Sequence, residues 1–166
     1  MPLFRWLNRR ARMLVRYMIA RDIPAAAAIE RSSFGAQAHD ADDLRAMLRH
    51  ARIVGLVAED DDGDILGFAV YRMRRHSLQI IDLAVIARRR GIGTALLEAL
   101  KERRNGRSHI FVNVRDKNLA AHLFFKTCGY VATGVVKDTY EFTWSSSLSG
   151  SQLGTINMEA SSELTR

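Results

Sequence analysis

Leu83-Ala84-Val85-Ile86-Ala87-Arg88-Arg89-Arg90-Gly91-Ile92-Gly93-Thr94-Ala95-Leu96-Leu97 decides the reading of this chain. An apolar run ends in arginines and glycines and then resumes at helical spacing, the pattern of a strand, a tight turn and a helix. Glycines at 91 and 93 let the backbone approach a large anion closely. The N–H groups of a helix's first turn lack intrahelical partners, and the helix dipole favours negative charge there. A pyrophosphate fits a turn of this kind. A Walker loop is excluded, because no Lys-Ser or Lys-Thr pair follows a glycine at the required spacing and Lys126-Thr127 lies within a helical pattern. The dinucleotide fingerprint is excluded too, since its third glycine is replaced by Leu96. What remains is RxxGxG, carried by Arg88, Gly91 and Gly93; the plainer alternative is a strand-to-helix turn with solvated arginines.

Working outward from this turn, the pattern predicts an α/β chain. Met13 to Ile19 reads as a first strand, Asp22 as the cap of a helix with Pro24 in its first turn, and Asp40 or Asp42 as the cap of a second helix carrying Leu44, Met47 and Leu48. Ile53 to Ala58 and Ile65 to Met73 form a hairpin across the acidic turn Asp61-Asp62-Gly63-Asp64, and Leu78 to Val85 adds a third adjacent strand. Helices follow over 91–104 and 118–127, with strands over 110–114 and 130–136. Tyr140 to Trp144 is a further candidate edge strand. The expected fold is a mixed central sheet that changes direction in the middle, with helices on both faces. Residues 1–12 read as a basic extension, 13–144 as the folded domain and 145–166, rich in Ser, Gly and Thr, as a disordered tail.

At 166 residues the chain is expected to form one domain with a sizeable core. The net charge of +7 is local: six arginines and no acid fall in residues 1–21, leaving about +1 for the rest by subtraction. That distribution argues against a domain-wide DNA-binding face. A ribosome-surface or membrane-surface contact through the N-terminal arginines stays open beside a plain solvated extension. No run is long enough for a transmembrane helix. The acidic turn lacks the glutamate of a calcium loop, position 69 being Ala, and His76 has no partner ligand at metal spacing, so no metal is expected. The single Cys128 admits no intrachain disulfide and fits a cytoplasmic location.

A second signature, Asn118-x-x-Ala121-x-x-Phe124-Phe125-x-x-x-Gly129-Tyr130, follows the first by about 25 residues. Together they resemble the GNAT superfamily of acetyl-CoA-dependent N-acetyltransferases over about residues 13–142. Within it the chain is most similar to the bacterial enzymes that acetylate the N-terminal alanine of a ribosomal protein. That narrower likeness rests on Ala28-Ile29-Glu30-Arg31-Ser32-Ser33-Phe34 and on Val136-Lys137-Asp138-Thr139-Tyr140.

The resemblance implies that Leu83, Ala84 and Val85 pair through their backbone with the pantetheine arm of acetyl-CoA, a backbone N–H near Leu83 polarising the thioester carbonyl. It implies further that Arg88, Arg89, Arg90, Gly91, Ile92, Gly93 and Thr94 hold the pyrophosphate, and that Asn118 and Phe125 flank the pantetheine. The acceptor it implies is a primary amine, a protein N-terminus or a small molecule, with Glu30 and Phe34 expected at the amine groove. Two departures stand out. Asn113 occupies the position of the ribosomal-protein enzymes' glutamate base, and Phe125 that of their tyrosine acid; neither side chain transfers a proton at neutral pH. Tyr140 and Glu30 are the candidate replacements, Tyr140 the catalytic one and Glu30 with a substrate or proton-transfer role, and a non-catalytic acyl-CoA sensor is the rival reading.

Overall fold

A computed structural model describes residues 5–8, 12–115, 117–136 and 155–161. Among the described residues eight strands form one sheet in the order β1-β2-β3-β4-β5-β6-β8-β7. They are β1 (Arg5–Asn8), β2 (Met13–Tyr17), β3 (Ile53–Asp60), β4 (Ile65–Met73), β5 (Ser77–Val85), β6 (His109–Arg115), β7 (Val131–Val136) and β8 (Thr155–Ser161). The helices are α1 (Ile23–Phe34), α2 (Ala41–Leu48), α3 (Ile92–Glu102) and α4 (Leu119–Thr127). Strands β1 to β5 run antiparallel to their neighbours, β5 and β6 are parallel, and β6-β8-β7 are again antiparallel. A parallel pair needs a crossover, which α3 supplies.

The expected change of direction therefore falls between β5 and β6. Ile23, Ala26, Ile29, Leu44 and Met47 of α1 and α2 cover one face of the sheet with Val57, Phe68, Val70 and Ala84. Ile92, Leu96, Leu97, Leu100 and Phe125 of α3 and α4 cover the other with Leu56, Leu78, Ile80, Ile110 and Val112. The alternation of apolar residues along β3 to β5 distributes them to both faces, as the period-2 geometry of a strand requires.

Three expectations change. The basic extension contributes β1, paired with β2 from Arg5↔Arg16 to Asn8↔Met13, so the sheet begins before residue 13. The segment expected to be disordered contributes β8, inserted between β6 and β7. Its physical basis is legible in hindsight: Ile156, Met158 and Ala160 alternate with Thr155, Asn157, Glu159 and Ser161, a period-2 pattern hidden by the Ser- and Gly-rich stretch before it. Asp22 precedes α1 but makes no side-chain cap bond. Its carboxylate instead accepts two hydrogen bonds from Arg16, at 2.7 and 3.0 Å, and one from the Ile19 N–H at 2.8 Å. Asp40 does cap α2, accepting from the N–H groups of Asp42 and Asp43 at 2.8 Å each. The proposed edge strand Tyr140 to Trp144 lies outside the described residues.

Candidate active site

The sheet opens where it changes direction. β5 pairs with β6 from Ser77↔His109 to Ile80↔Val112. Beyond that point β6 stays with β8 as far as Arg115, while β5 stays with β4 as far as Gly67↔Val85. Between Val70↔Asp82 and Tyr71↔Ile80 the register shifts, leaving Ile81 as the extra residue of a bulge on β5. A bulge bends its strand and increases local twist, which turns the end of β5 away from β6. The β6-facing edge of residues 81–85, including Leu83, Ala84 and Val85, thus has no strand partner among the described residues. An extended molecule can bond there as an added strand.

The glycine turn closes one end of this gap. Gly91 stands before α3 in the left-handed region, with φ 75° and space where a Cβ would go. Arg89 also has positive φ, 62°, an unfavourable backbone for a non-glycine residue. The two flank Arg90, so successive N–H groups can converge into an anion-binding concavity continuous with the uncapped first turn of α3. Arg88, Arg89, Arg90 and Thr94 are exposed there. Gly93 meets a different demand: a Cβ would lie 2.8 Å from Cζ of Phe124, so its smallness lets α3 pack against α4. Gly67 does the same beneath the turn, where a Cβ would lie 2.9 Å from both the Ala84 carbonyl oxygen and Ile92 Cγ2. These residues fit a pyrophosphate joined to an extended arm: an open glycine cradle, exposed arginines and an unpaired strand edge lie in sequence.

On the α1 face the gap is roofed by the connection between α1 and α2. This segment reaches β6 through Gln37, whose Oε1 accepts from Arg115 Nη1, and β5 through His39. Below the roof two carboxylates share one imidazole. His39 Nδ1 lies 2.8 Å from Glu30 Oε1 and 3.3 Å from Asp82 Oδ2, and the His39 backbone N–H donates to the same Glu30 oxygen at 2.8 Å. Glu30 is 1 % and Asp82 6 % exposed, and Glu30 Oε2 is buried with no hydrogen-bond partner. The bonds to Asp82 and Glu30 push the His39 imidazole up to about 10, so it is cationic at neutral pH. Burial pushes the Asp82 carboxyl up to about 7, against the pull of His39. Burial also opposes the Glu30 anion, but the hydrogen bonds from His39 and the neighbouring Asp82 carboxyl hold its carboxyl below the usual range. The donor atoms of Glu30, His39 and Asp82 all lie within 4.8 Å of one another, close enough to share one cation.

The other expected site residues are distributed less evenly. Phe34, 40 % exposed at the end of α1, stands where the roof begins. Asn118 caps α4 by accepting from the Ala121 N–H at 3.2 Å. Phe125 is buried in the core, its ring edge-on to Phe124 and Tyr130 with centroids 5.2 Å apart in each pair. Tyr140 lies outside the described residues. His39 and Asp82 are the residues that sequence reasoning passed over. Asp82 had a signal, an acid inside the apolar run Ile80-Ile81-Asp82-Leu83, since buried acids are rare unless paired.

Residues 17–130, spanning this opened sheet and both signatures, match the model of the Acetyltransferase (GNAT) family. The chain belongs to the GNAT acetyltransferase family. Acetyl-CoA is that family's co-substrate, which agrees with the anion turn and free strand edge. Solved structures share the GNAT fold. The ribosomal-protein-S18-alanine N-acetyltransferase of Escherichia coli superposes with a TM-score of 0.72 at 21% identity, covering 90% of this chain and 93% of that one. Ard1 of Thermoplasma volcanium gives 0.74 at 22%, covering 90% and 97%. Arabidopsis thaliana NAA60, in complex with a bisubstrate analogue, gives 0.70 at 14%, again covering 90% and 97%. No curated protein sequence matches the chain significantly. Among the described residues no helix is long and apolar enough to cross a membrane.

Proposed function

We propose that this GNAT protein transfers the acetyl group of acetyl-CoA to a primary amine, with a protein N-terminal α-amine as the acceptor and a ribosomal protein as one candidate carrier of it. The observation that carries the reading is the opening of β5 from β6 beside the Gly91 turn. Arg88 to Thr94 would hold the pyrophosphate, and the edge of Leu83 to Val85 the pantetheine arm. Asn118 would border that arm, and Phe125 would support it from the core instead of transferring a proton. Acetyl-CoA supplies an activated acyl carbon. The chain supplies placement, which alone can account for much of the rate when two reactants are held in contact.

Glu30 and Phe34 would bound the acceptor groove, and Tyr140 would hydrogen-bond the departing thiolate or the incoming amine, an unperturbed phenol having a pKa of about 10, close to that of an alkyl thiol. A cytoplasmic location is part of the same proposal. The test is acetyl-CoA turnover against peptides beginning with Ala, Ser and Met, with free lysine and polyamines alongside. The proposal expects turnover to be fastest with one of the peptides. Saturable acetyl-CoA binding without turnover on any of these amines would favour the non-catalytic sensor, a reading supported by Asn113 and Phe125.

A further inference from the structure

We propose that Glu30 and Asp82 form the docking point for the acceptor's ammonium group, that Asp82 takes its proton, and that His39 positions the pair. The proposal rests on the acetyltransferase reading and supplies the proton acceptor that Asn113 does not.

Three observations converge on it. Asp82 lies at the bulge where β5 leaves β6, one residue before Leu83. Residues two apart on a strand share a face, and Ala84 packs with α1, so the Asp82 side chain emerges on the α1 face beneath the roof. An acyl group held along the β5 edge near Leu83 is therefore about one residue repeat, roughly 3.4 Å along the strand, from Asp82. Second, Glu30 Oε2 is an orphaned buried acceptor beside Asp82. Such an atom carries a desolvation cost until a donor reaches it. Third, two carboxylates face one imidazolium, leaving a negative charge for a cation to balance when both are ionised.

A primary ammonium answers all three conditions: it brings one positive charge and three N–H donors on a small head. It can satisfy Glu30 Oε2 and Asp82 together, whereas an alcohol offers one donor and no charge. The way in passes His39, the one member of the cluster that is substantially exposed, at 44 % of its side chain. The titratable groups facing Asp82 are Glu30 from α1 and His39 from the roof; its partner across β4 is the uncharged Val70. Asp40 stands next to His39 and feels both that ring and Arg31.

The proton balance is simple. Asp82 accepts one proton from the ammonium, freeing the nitrogen lone pair. The N–C bond forms at the acetyl carbon as the C–S bond breaks. A second N–H proton passes to the departing thiolate, and the proton on Asp82 returns to solvent past His39. A carboxyl pushed up to about 7 suits the task, being ionised yet basic near neutral pH.

Asp82→Asn is expected to lower kcat about 100-fold, in the usual range for removing a general base. It should leave the acetyl-CoA Kd unchanged by calorimetry and abolish the limb near pH 7 in the wild-type kcat/KM profile. Glu30→Gln should mainly raise KM for the amine. His39→Gln should displace the limb while retaining more kcat than Asp82→Asn. A second measurement needs neither turnover nor a variant: in the 13C carboxyl spectrum of the wild-type protein, alanine amide should shift the Asp82 and Glu30 resonances and N-acetylalanine amide should not. Equal shifts from the two amides, or wild-type kcat and pH profile in Asp82→Asn, would overturn the proposal. So would activity lost to a chelator and restored by a divalent cation, which would make the three residues ligands. A wild type without turnover but with the amine-specific shifts would defeat the acetyltransferase reading while upholding the ammonium site.

Discussion

The two ends of the gap between β5 and β6 are built from opposite materials. At one end, Arg88 to Thr94 is exposed, basic and made of backbone held open by Gly91. At the other, Glu30, His39 and Asp82 form a largely buried acidic cluster whose geometry depends on side chains from three separate parts of the chain. The first kind of site tolerates water and recognises charge at a distance. The second acts only on a group that enters it, because burial raises both the strength of a correct contact and the cost of a missing one. The difference suits a reaction in which one reactant carries a large anion and the other a small cation.

Substitutions at the turn test this contrast most strongly. In Gly93→Val the added carbons collide with the Phe124 ring, and we expect a stability loss of about 2–3 kcal/mol together with weakened acetyl-CoA binding. Gly91→Ala meets no neighbour but must hold φ 75°, so its cost should be nearer 1 kcal/mol. Thermal melts and calorimetry on both variants separate packing from backbone; equal losses would mean that the two glycines serve one purpose. Replacing Arg88, Arg89 and Arg90 together by Ala should next weaken acetyl-CoA binding on the order of tenfold at low ionic strength, about 1.4 kcal/mol. The deficit should shrink at 1 M salt, where the screening length is about 3 Å. A salt-independent deficit would show that the arginines act through turn structure instead of charge.

The smallest effect concerns pH and the acidic end. His39 is raised in the folded chain, to about 10, so its stabilisation is complete below the ordinary histidine range and is lost as pH climbs from about 6.5 towards 10. Asp82 is raised to about 7 by burial, so the folded state holds its proton more tightly and ionisation lowers stability between about pH 4 and 7. Both contributions fall as pH rises. Melting temperatures of the free protein should therefore decline from pH 6.5 to 10, less steeply in His39→Gln. An unchanged alkaline slope in that variant would remove the pairing from the energetics of the fold.

The glycine turn was legible because its chemistry is local: strand, arginines, glycines and helix are contiguous, and their spacing is itself the geometry. The order of elements around it was equally readable, since hydrophobic periodicity records which face each residue covers. The acidic cluster was not. Glu30, His39 and Asp82 are brought together by α1 packing over β5 and by a connection that carries no periodic signal. Asp82 was visible only as an acid in an apolar run, and His39 was indistinguishable from any loop histidine. β1 and β8 were missed for a different reason, because arginines in one case and the preceding serines in the other masked short strands whose order comes from pairing with the sheet.

The place of β8 bears on how the chain is made. β7 leaves the ribosome before β8, yet among the described residues β6 and β7 are joined through β8, which pairs with β6 from His109↔Ser161 to Arg115↔Thr155 and with β7 along its other edge. Two ladders must therefore wait for one late segment. Until it is synthesised, the growing chain exposes strand edges that can template association with other chains, and the arrival of Thr155–Ser161 closes both at once.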